Sequence, residues 1–478
     1  MFDTTSSLYP PAPRPRARAL GAVALFRALA SNPLEAWTEA HFNEPIVLGG
    51  LPFSRVAVVS DPQAIRHVLL DNGQNYRKDW LQRRVLSAGP TGGLLTAEDG
   101  QWRTQRRALA PLFARRTVMG FAAVMRAAAD GLVARLDAQA GQVIEVAVEI
   151  TRTTLDVLER TIFSDGFGSD REAMRRSMQR YFEAVGRIDP FDLLGLPQMT
   201  PRRSRLKAEL RFFEAAIDTV IARRERLLAQ AGESAPADIL TLLLRARDPE
   251  SGARLSEAEV RANILTFIAA GHETTANCLA WSLFLLSQSP DWCERLAEEA
   301  ARELDGDIDG LADRLVATRA VIEESNRLYP PLAAISRSAM APDTLGSVAI
   351  RRGTLVVIAP YVLHRHRALW ADPDGFDPAR FLGAARERID RFAYLPFGAG
   401  PRICVGAQFA MQEAAIVLAT LMRRFRPVLA PGHAVWPVQK VTLRPRGGLP
   451  MLLMPRGRPA ATPGRRPWPI WQGGRRRR

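Results

Sequence analysis

One cysteine in this chain stands in a setting built for chemistry. In Phe397-Gly398-Ala399-Gly400-Pro401-Arg402-Ile403-Cys404-Val405-Gly406, two glycines and a proline forbid regular helix or strand up to the sulfur. Val405 to Ala414 can then run on as helix. Cys404 therefore sits just before a helix N-terminus, where the dipole and unpaired N–H groups favour the thiolate, the form that binds metal. Gly398 and Gly400 allow a tight turn, and Gly406 lets a flat ligand approach the backbone. The competing reading of a lone cysteine is a small buried hydrophobe.

Three further groups carry functional residue types at meaningful spacing. Ala270-Gly271-His272-Glu273-Thr274-Thr275 puts an acid and two hydroxyls inside a very apolar helix that starts at a capping box, Ser256 to Glu259. The structural account is back-bonding by Thr, pairing of Glu273 and close packing at Gly271; the functional one is a proton relay. Trp102 and Arg106, four apart, share a helix face and present an indole N–H and a guanidinium together. Glu324 and Arg327 can pair at i,i+3 on a helix that stops at Pro330-Pro331.

Taken in order, these pieces resemble the cytochrome P450 family over roughly residues 40 to 455. The cysteine loop is similar to the family's haem-ligand loop, from Phe397 and Gly398 to Gly406, which implies Cys404 as the iron ligand. Ala270 to Thr274 resembles its acid–alcohol motif, implying that Glu273 and Thr274 deliver protons while Ala270 and Gly271 lie beside the haem. Trp102, Arg106, Arg337 and Arg402 match propionate-binding positions. Glu324, Arg327 and Arg380 resemble a structural clamp beneath the loop, with Ala379 where the family often has Glu. The resemblance implies haem b and a monooxygenase that inserts one oxygen atom of O2 into a hydrophobic small molecule by hydroxylation or epoxidation. Electrons would come from NAD(P)H through a separate ferredoxin-like or flavodoxin-like partner and its reductase. A peroxide-driven peroxygenase or a non-catalytic haem-binding protein would make less use of Glu273 and Thr274.

Composition narrows the setting. Three cysteines, Cys278, Cys293 and Cys404, give no disulfide framework and suit a reducing compartment, with cytoplasm as the expectation. No N-terminal run reaches membrane-span length, since Ala19 to Leu25 is closed by Arg27, so no membrane anchor is expected. The net charge is +15; taking away the eight arginines between Arg456 and Arg478 leaves +7, so the charge points to a solvated tail and not to nucleic acid. The expected organisation is a disordered segment 1–18, one haem domain over 19–455 and a disordered basic tail over 456–478. A monomer is expected.

The expected fold is mainly α with smaller β-sheets, the haem lying between a long central helix and the cysteine loop. Helix is expected over Leu20 to His41, Ser256 to Ser289 and Leu311 to Tyr329, and a long loop over Tyr76 to Leu95. Hairpins are expected for Pro45 to Leu48 with Arg55 to Val59, for Val348 to Ile350 with Leu355 to Ile358, and for Val441 to Leu443 with Met451 to Met454. Phe267, Ala270, Ala333, Ile335 and Leu449 are the apolar pocket candidates. His364 and His366 read as a surface pair without further metal ligands.

Overall fold

The computed structural model describes residues 8–51, 54–79, 82–83, 91–164, 166, 176–177, 180, 201–231 and 234–457. Its longer helices are α1 (Ala22–Ser31), α2 (Asp99–Leu109), α3 (Ala122–Asp137), α4 (Val146–Phe163), α5 (Pro201–Ala231), α6 (Glu257–Ser287), α7 (Pro290–Glu303), α8 (Val316–Leu328) and α9 (Ala407–Arg424). The expected α+β class holds. Residues 1–7 of the N-terminal segment, 80, 81 and 84–90 of the expected long loop and 458–478 of the tail lie outside the described residues.

The central helix is α6. Ser256 Oγ accepts from the Glu259 amide at 3.3 Å while Glu259 accepts from the Ser256 amide at 2.9 Å, the reciprocal cap read from the sequence. Apolar residues on all sides of α6 bury it among α4, α8 and α9. At its C-terminal half Trp281 stacks on Tyr329, with ring centroids 3.8 Å apart and planes 12° from parallel.

Strands β1 (Ile46–Leu51) and β2 (Ser54–Val59) form the expected hairpin, with Leu48 opposite Ala57. They continue into β8 (Leu355–Ile358), β5 (Ile335–Ala339) and β3 (Tyr76–Arg77) in one sheet. The other two hairpins are corrected. β7 (Val348–Ile350) pairs with β6 (Asp343–Leu345), whereas β8 runs parallel to β2 and antiparallel to β5. β11 (Leu443–Pro445) pairs with β10 (Pro437–Gln439), whereas β12 (Pro450–Pro455) lies between β4 (Val143–Glu145) and β9 (Phe425–Leu429).

Helix boundaries also shift. The stretch 20–41 breaks at Asn32-Pro33, because proline lacks the N–H that would continue α1. The stretch 311–329 divides at Leu315 into Leu311–Arg314 and α8. Arg115–Asp137 is long and apolar enough to cross a membrane by composition. In this fold α3, within it, packs against α9 and α4, with Met125, Ala129 and Leu132 fully buried.

From Leu8 onward the segment expected to be disordered is tied to the body. Leu8 bridges Phe376, Arg16 bridges Thr38, and the Tyr329 hydroxyl donates to the Pro11 carbonyl at 2.8 Å. Arg456, counted with the tail, also belongs to the body, donating to the Met422 carbonyl at 2.6 Å and pairing with Glu294 at 2.6 Å.

Candidate active site

The cysteine loop is held by its glycines. Gly398 and Gly400 have φ of +74° and +70°, and a Cβ at Gly400 would collide with the Leu69 carbonyl. The Cys404 amide donates to the Phe397 carbonyl at 3.0 Å, closing the turn, and α9 starts at Ala407 with Gly406 as its cap. A Cβ at Gly406 would meet no protein atom within 4 Å. Cys404 keeps exposed surface, yet enough protein surrounds it for burial to push its thiol pKa up. The Gly406 amide and the Arg106 charge pull the other way and offset only part of this. Ionisation here calls for a metal, which deprotonates a coordinating thiol outright.

Around this loop cations converge from four elements. Arg402 lies with its guanidinium 4.3 Å from the centre of the Trp102 ring, donates to Glu98 at 2.6 Å and reaches the Ala97 carbonyl at 3.3 Å. Arg106, on α2 with Trp102, is half-buried without a carboxylate partner among the described residues; burial lowers its pKa and the Cys404 sulfur opposes this. Arg337, on β5, donates to the Ser336 carbonyl at 2.8 Å, and burial together with the Arg402 charge pulls it down to about 10. Lys78 completes the group, donating to the Leu95 and Ala97 carbonyls at 2.6 and 3.2 Å and pairing with Glu98 at 3.2 Å. Burial first, then Arg402, lowers it to about 8. Lys78 escaped the sequence reading because it opens an aperiodic loop; its one signal was a basic residue in an otherwise hydrogen-bonding Arg77-Lys78-Asp79 run.

On α6, Ala270 is exposed and Gly271 and Thr274 half-buried, a gap in an otherwise buried stretch. Thr274 Oγ1 donates to the Ala270 carbonyl at 2.7 Å, so its hydroxyl proton is engaged while its lone pairs stay open. A Cβ at Gly271 would come 3.1 Å from the Leu158 side chain, so that glycine admits α4. Glu273 turns to the other side and accepts from Thr442 Oγ1 at 2.6 Å. The acid and the alcohol are neighbours in sequence with no hydrogen bond to each other among the described residues.

The clamp is assembled. Arg327 meets Glu324 at 2.6 and 2.8 Å with both side chains fully buried, and spends its other donors on the carbonyls of His364, Pro373 and Gly375. Burial pushes the Glu324 carboxyl up and Arg327 draws it back. Arg380 is more distant, 3.6 Å from Glu324, and binds the Ala371 and Asp372 carbonyls. His364 and His366 are buried, contrary to the surface reading. His364 Nε2 lies 2.8 Å from the Leu395 amide, and burial plus the charges of Arg327 and Arg365 lower its pKa to about 3, so it is a neutral acceptor. His366 meets the Glu44 carbonyl at 3.1 Å.

The apolar candidates divide. Ala270 and Ile335 keep exposed surface, whereas Ala333 and Leu449 are fully buried and Phe267 packs edge-on against Phe113 at 5.0 Å. Those three are core residues.

Comparison with known proteins settles the class. The cytochrome P450 family model matches residues 10–451. The chain belongs to the cytochrome P450 family. It is 34% identical to putative cytochrome P450 132 of Mycobacterium tuberculosis, over 83% of this chain and 87% of that one. It is 32% identical to the cyclooctat-9-en-7-ol 5-monooxygenase of Streptomyces melanosporofaciens, over 89% and 93%. The crystal structure of the cytochrome P450DA heme domain superposes with a TM-score of 0.81 at 26% identity, covering 94% of this chain and 98% of that one. This P450 is thus an oxidoreductase of monooxygenase type, and its family implies haem.

The residues fit that cofactor. Among the described residues no group of three or more His, Cys, Asp and Glu could hold a metal ion. A lone sulfur suits a metal whose remaining ligands come with a macrocycle. Lys78, Arg337 and Arg402 lie near Glu98, with Asp79 near Arg337; Arg106 lies beside Cys404, and Arg77 and Asp99 near Arg402 pair with each other. The surplus of two positive charges matches the two propionates of a haem.

Proposed function

We propose that this P450 hydroxylates or epoxidises a hydrophobic small molecule with O2, using electrons from a separate redox partner. The observation that carries the reading is the open face on α6 formed by exposed Ala270 and half-buried Gly271 and Thr274 within a buried stretch, with Glu273 beside it. A haem-binding protein without catalysis has no use for an acid and a hydroxyl there.

With a thiolate ligand, haem b supplies dioxygen activation and O–O cleavage. Cys404 is its sulfur ligand. Arg106, Arg337, Arg402 and Lys78 would neutralise the propionates, and Trp102 would help to orient them through its indole N–H. Phe397, Gly398 and Gly406 shape the turn that would present Cys404 to the haem. The Thr274 hydroxyl, donating to the Ala270 carbonyl, accepts from a water and holds it in the pocket; Glu273 brings protons from solvent to that water. Ala270 and Ile335 give the pocket apolar walls. Glu324, Arg327 and Arg380 hold the polypeptide under the cysteine loop and touch neither substrate nor haem.

For electrons we infer a ferredoxin-like or flavodoxin-like acidic partner, supplied by NAD(P)H through its reductase. Four arginines near α2 invite it, but Arg107 is engaged by Asp248 and Glu250, and Arg115 by Asp313. Arg103 and Arg116 are exposed without a carboxylate partner among the described residues, so they carry the docking charge. Free cysteines throughout suit a reducing compartment, and we place a monomer in the cytoplasm.

The test is product and peroxide per electron pair in the reconstituted system, for the protein and Thr274→Ala. The reading expects product driven by the electron chain and more peroxide from the variant; product with added peroxide alone, and equal coupling in both, would overturn it.

A further inference from the structure

Glu273 has one carboxylate oxygen bound by the Thr442 hydroxyl at 2.6 Å. Thr442 lies far along the chain, between the Pro437–Gln439 and Leu443–Pro445 strands, and is buried. Its oxygen also accepts from Asn277 Nδ2 at 3.0 Å. Asn277 is one turn beyond Glu273 on α6, so both ends of the contact stand on one helix face. A hydroxyl has a single proton, and the Asn277 donor occupies a lone pair of the Thr442 oxygen, which leaves that proton for the carboxylate.

The threonine itself is fixed. Its carbonyl accepts from the Lys440 amide at 3.0 Å, the next amide, Leu443, donates to the Pro331 carbonyl at 2.9 Å, and the Leu443 carbonyl accepts from the Trp281 indole at 3.2 Å. A rigid loop therefore presents one oriented donor to one acid. Successive side chains on a helix point about 100° apart, so the side of α6 on which Thr442 holds Glu273 is not the side of the Thr274 hydroxyl. The second Glu273 oxygen has no protein partner among the described residues.

We propose that Thr442, oriented by Asn277, is a positioning residue that parks the Glu273 carboxylate on the 440–443 loop, and that proton delivery to the Thr274 water requires its release. The second half rests on the reading of Glu273 as a proton carrier; the first half does not.

The test uses the haem-loaded protein and its Thr442→Val and Thr442→Ser variants. The infrared carboxylate stretch of Glu273 is isolated in each as the difference from the same protein carrying Glu273→Gln. Parking predicts that the band shifts in Thr442→Val and returns in Thr442→Ser, and that the unfolding midpoints of Thr442→Val and Glu273→Ala are not additive. The product-to-peroxide ratio moves and returns with the band. An unmoved band with additive midpoints overturns the parking role, making Thr442 a packing residue. A moved band with an unmoved ratio overturns the release step. If, besides, Thr274→Ala couples like the unaltered protein, it is the relay reading of Glu273 and Thr274 that has failed.

Discussion

The Arg402 guanidinium lies over the Trp102 indole, 4.3 Å from its centre. Through that contact the cysteine loop and α2 are joined. A cation over an indole is worth about 1–2 kcal/mol when desolvated. Trp102→Ala should therefore speed haem loss to an acceptor by roughly ten-fold, with Trp102→Phe intermediate. Haem transfer measured by absorbance checks this; equal rates would detach Trp102 from cofactor binding.

Glu324 and Arg327 are a fully buried pair with every contact directional. Removing one partner leaves a charge without compensation, at a cost of about 3–5 kcal/mol. Glu324→Ala should lower the unfolding midpoint strongly, or prevent haem incorporation, while Arg380→Ala, whose contact is longer and whose side chain is less buried, should do much less. Calorimetry of the two variants checks the order.

Glu413, fully buried on α9, has its carboxyl pKa raised well above the ordinary 4.5 by burial, with Thr275 offsetting only part. A raised folded pKa means that the stabilisation is fully present below the unfolded value and is lost as pH rises through the folded one. Glu413→Gln keeps shape without that loss. Its midpoint should therefore fall less than that of the unaltered protein as pH is raised from about 5 to about 8. Parallel pH profiles would show that Glu413 is not protonated in the fold.

Arg103→Glu and Arg116→Glu should slow reduction by an acidic ferredoxin-like partner, most at low ionic strength, since steering between exposed charges is screened by salt. Arg107→Glu should instead destabilise the protein, because Asp248 would lose both of its close contacts to that guanidinium. Stopped-flow reduction at several salt concentrations, beside unfolding curves, separates the two effects.

The residues legible in the sequence were those whose reasons are local. Gly398, Gly400 and Pro401 announce the turn before Cys404, and Ser256 with Glu259 announces α6, because each needs only its chain neighbours. What stayed hidden depended on distant partners. The β2 to β8 pairing joins residues some three hundred apart, and periodicity within either strand carries no register for it. Lys78 and Thr442 acquire meaning only from Glu98 and Glu273, and His364 is buried because Arg327, Leu395 and Trp370 surround it. The burial that raises the Cys404 thiol pKa was hidden for the same reason, since it comes from the surrounding fold and not from the helix terminus.

The account stands on Cys404 as the sulfur ligand of the haem. The direct measurement is the absorption spectrum of the reduced, carbon monoxide-treated protein beside Cys404→His. The protein should show the strongly red-shifted Soret band of thiolate ligation, and the variant should lose it while still binding haem. The same red-shifted band in Cys404→His would contradict the account.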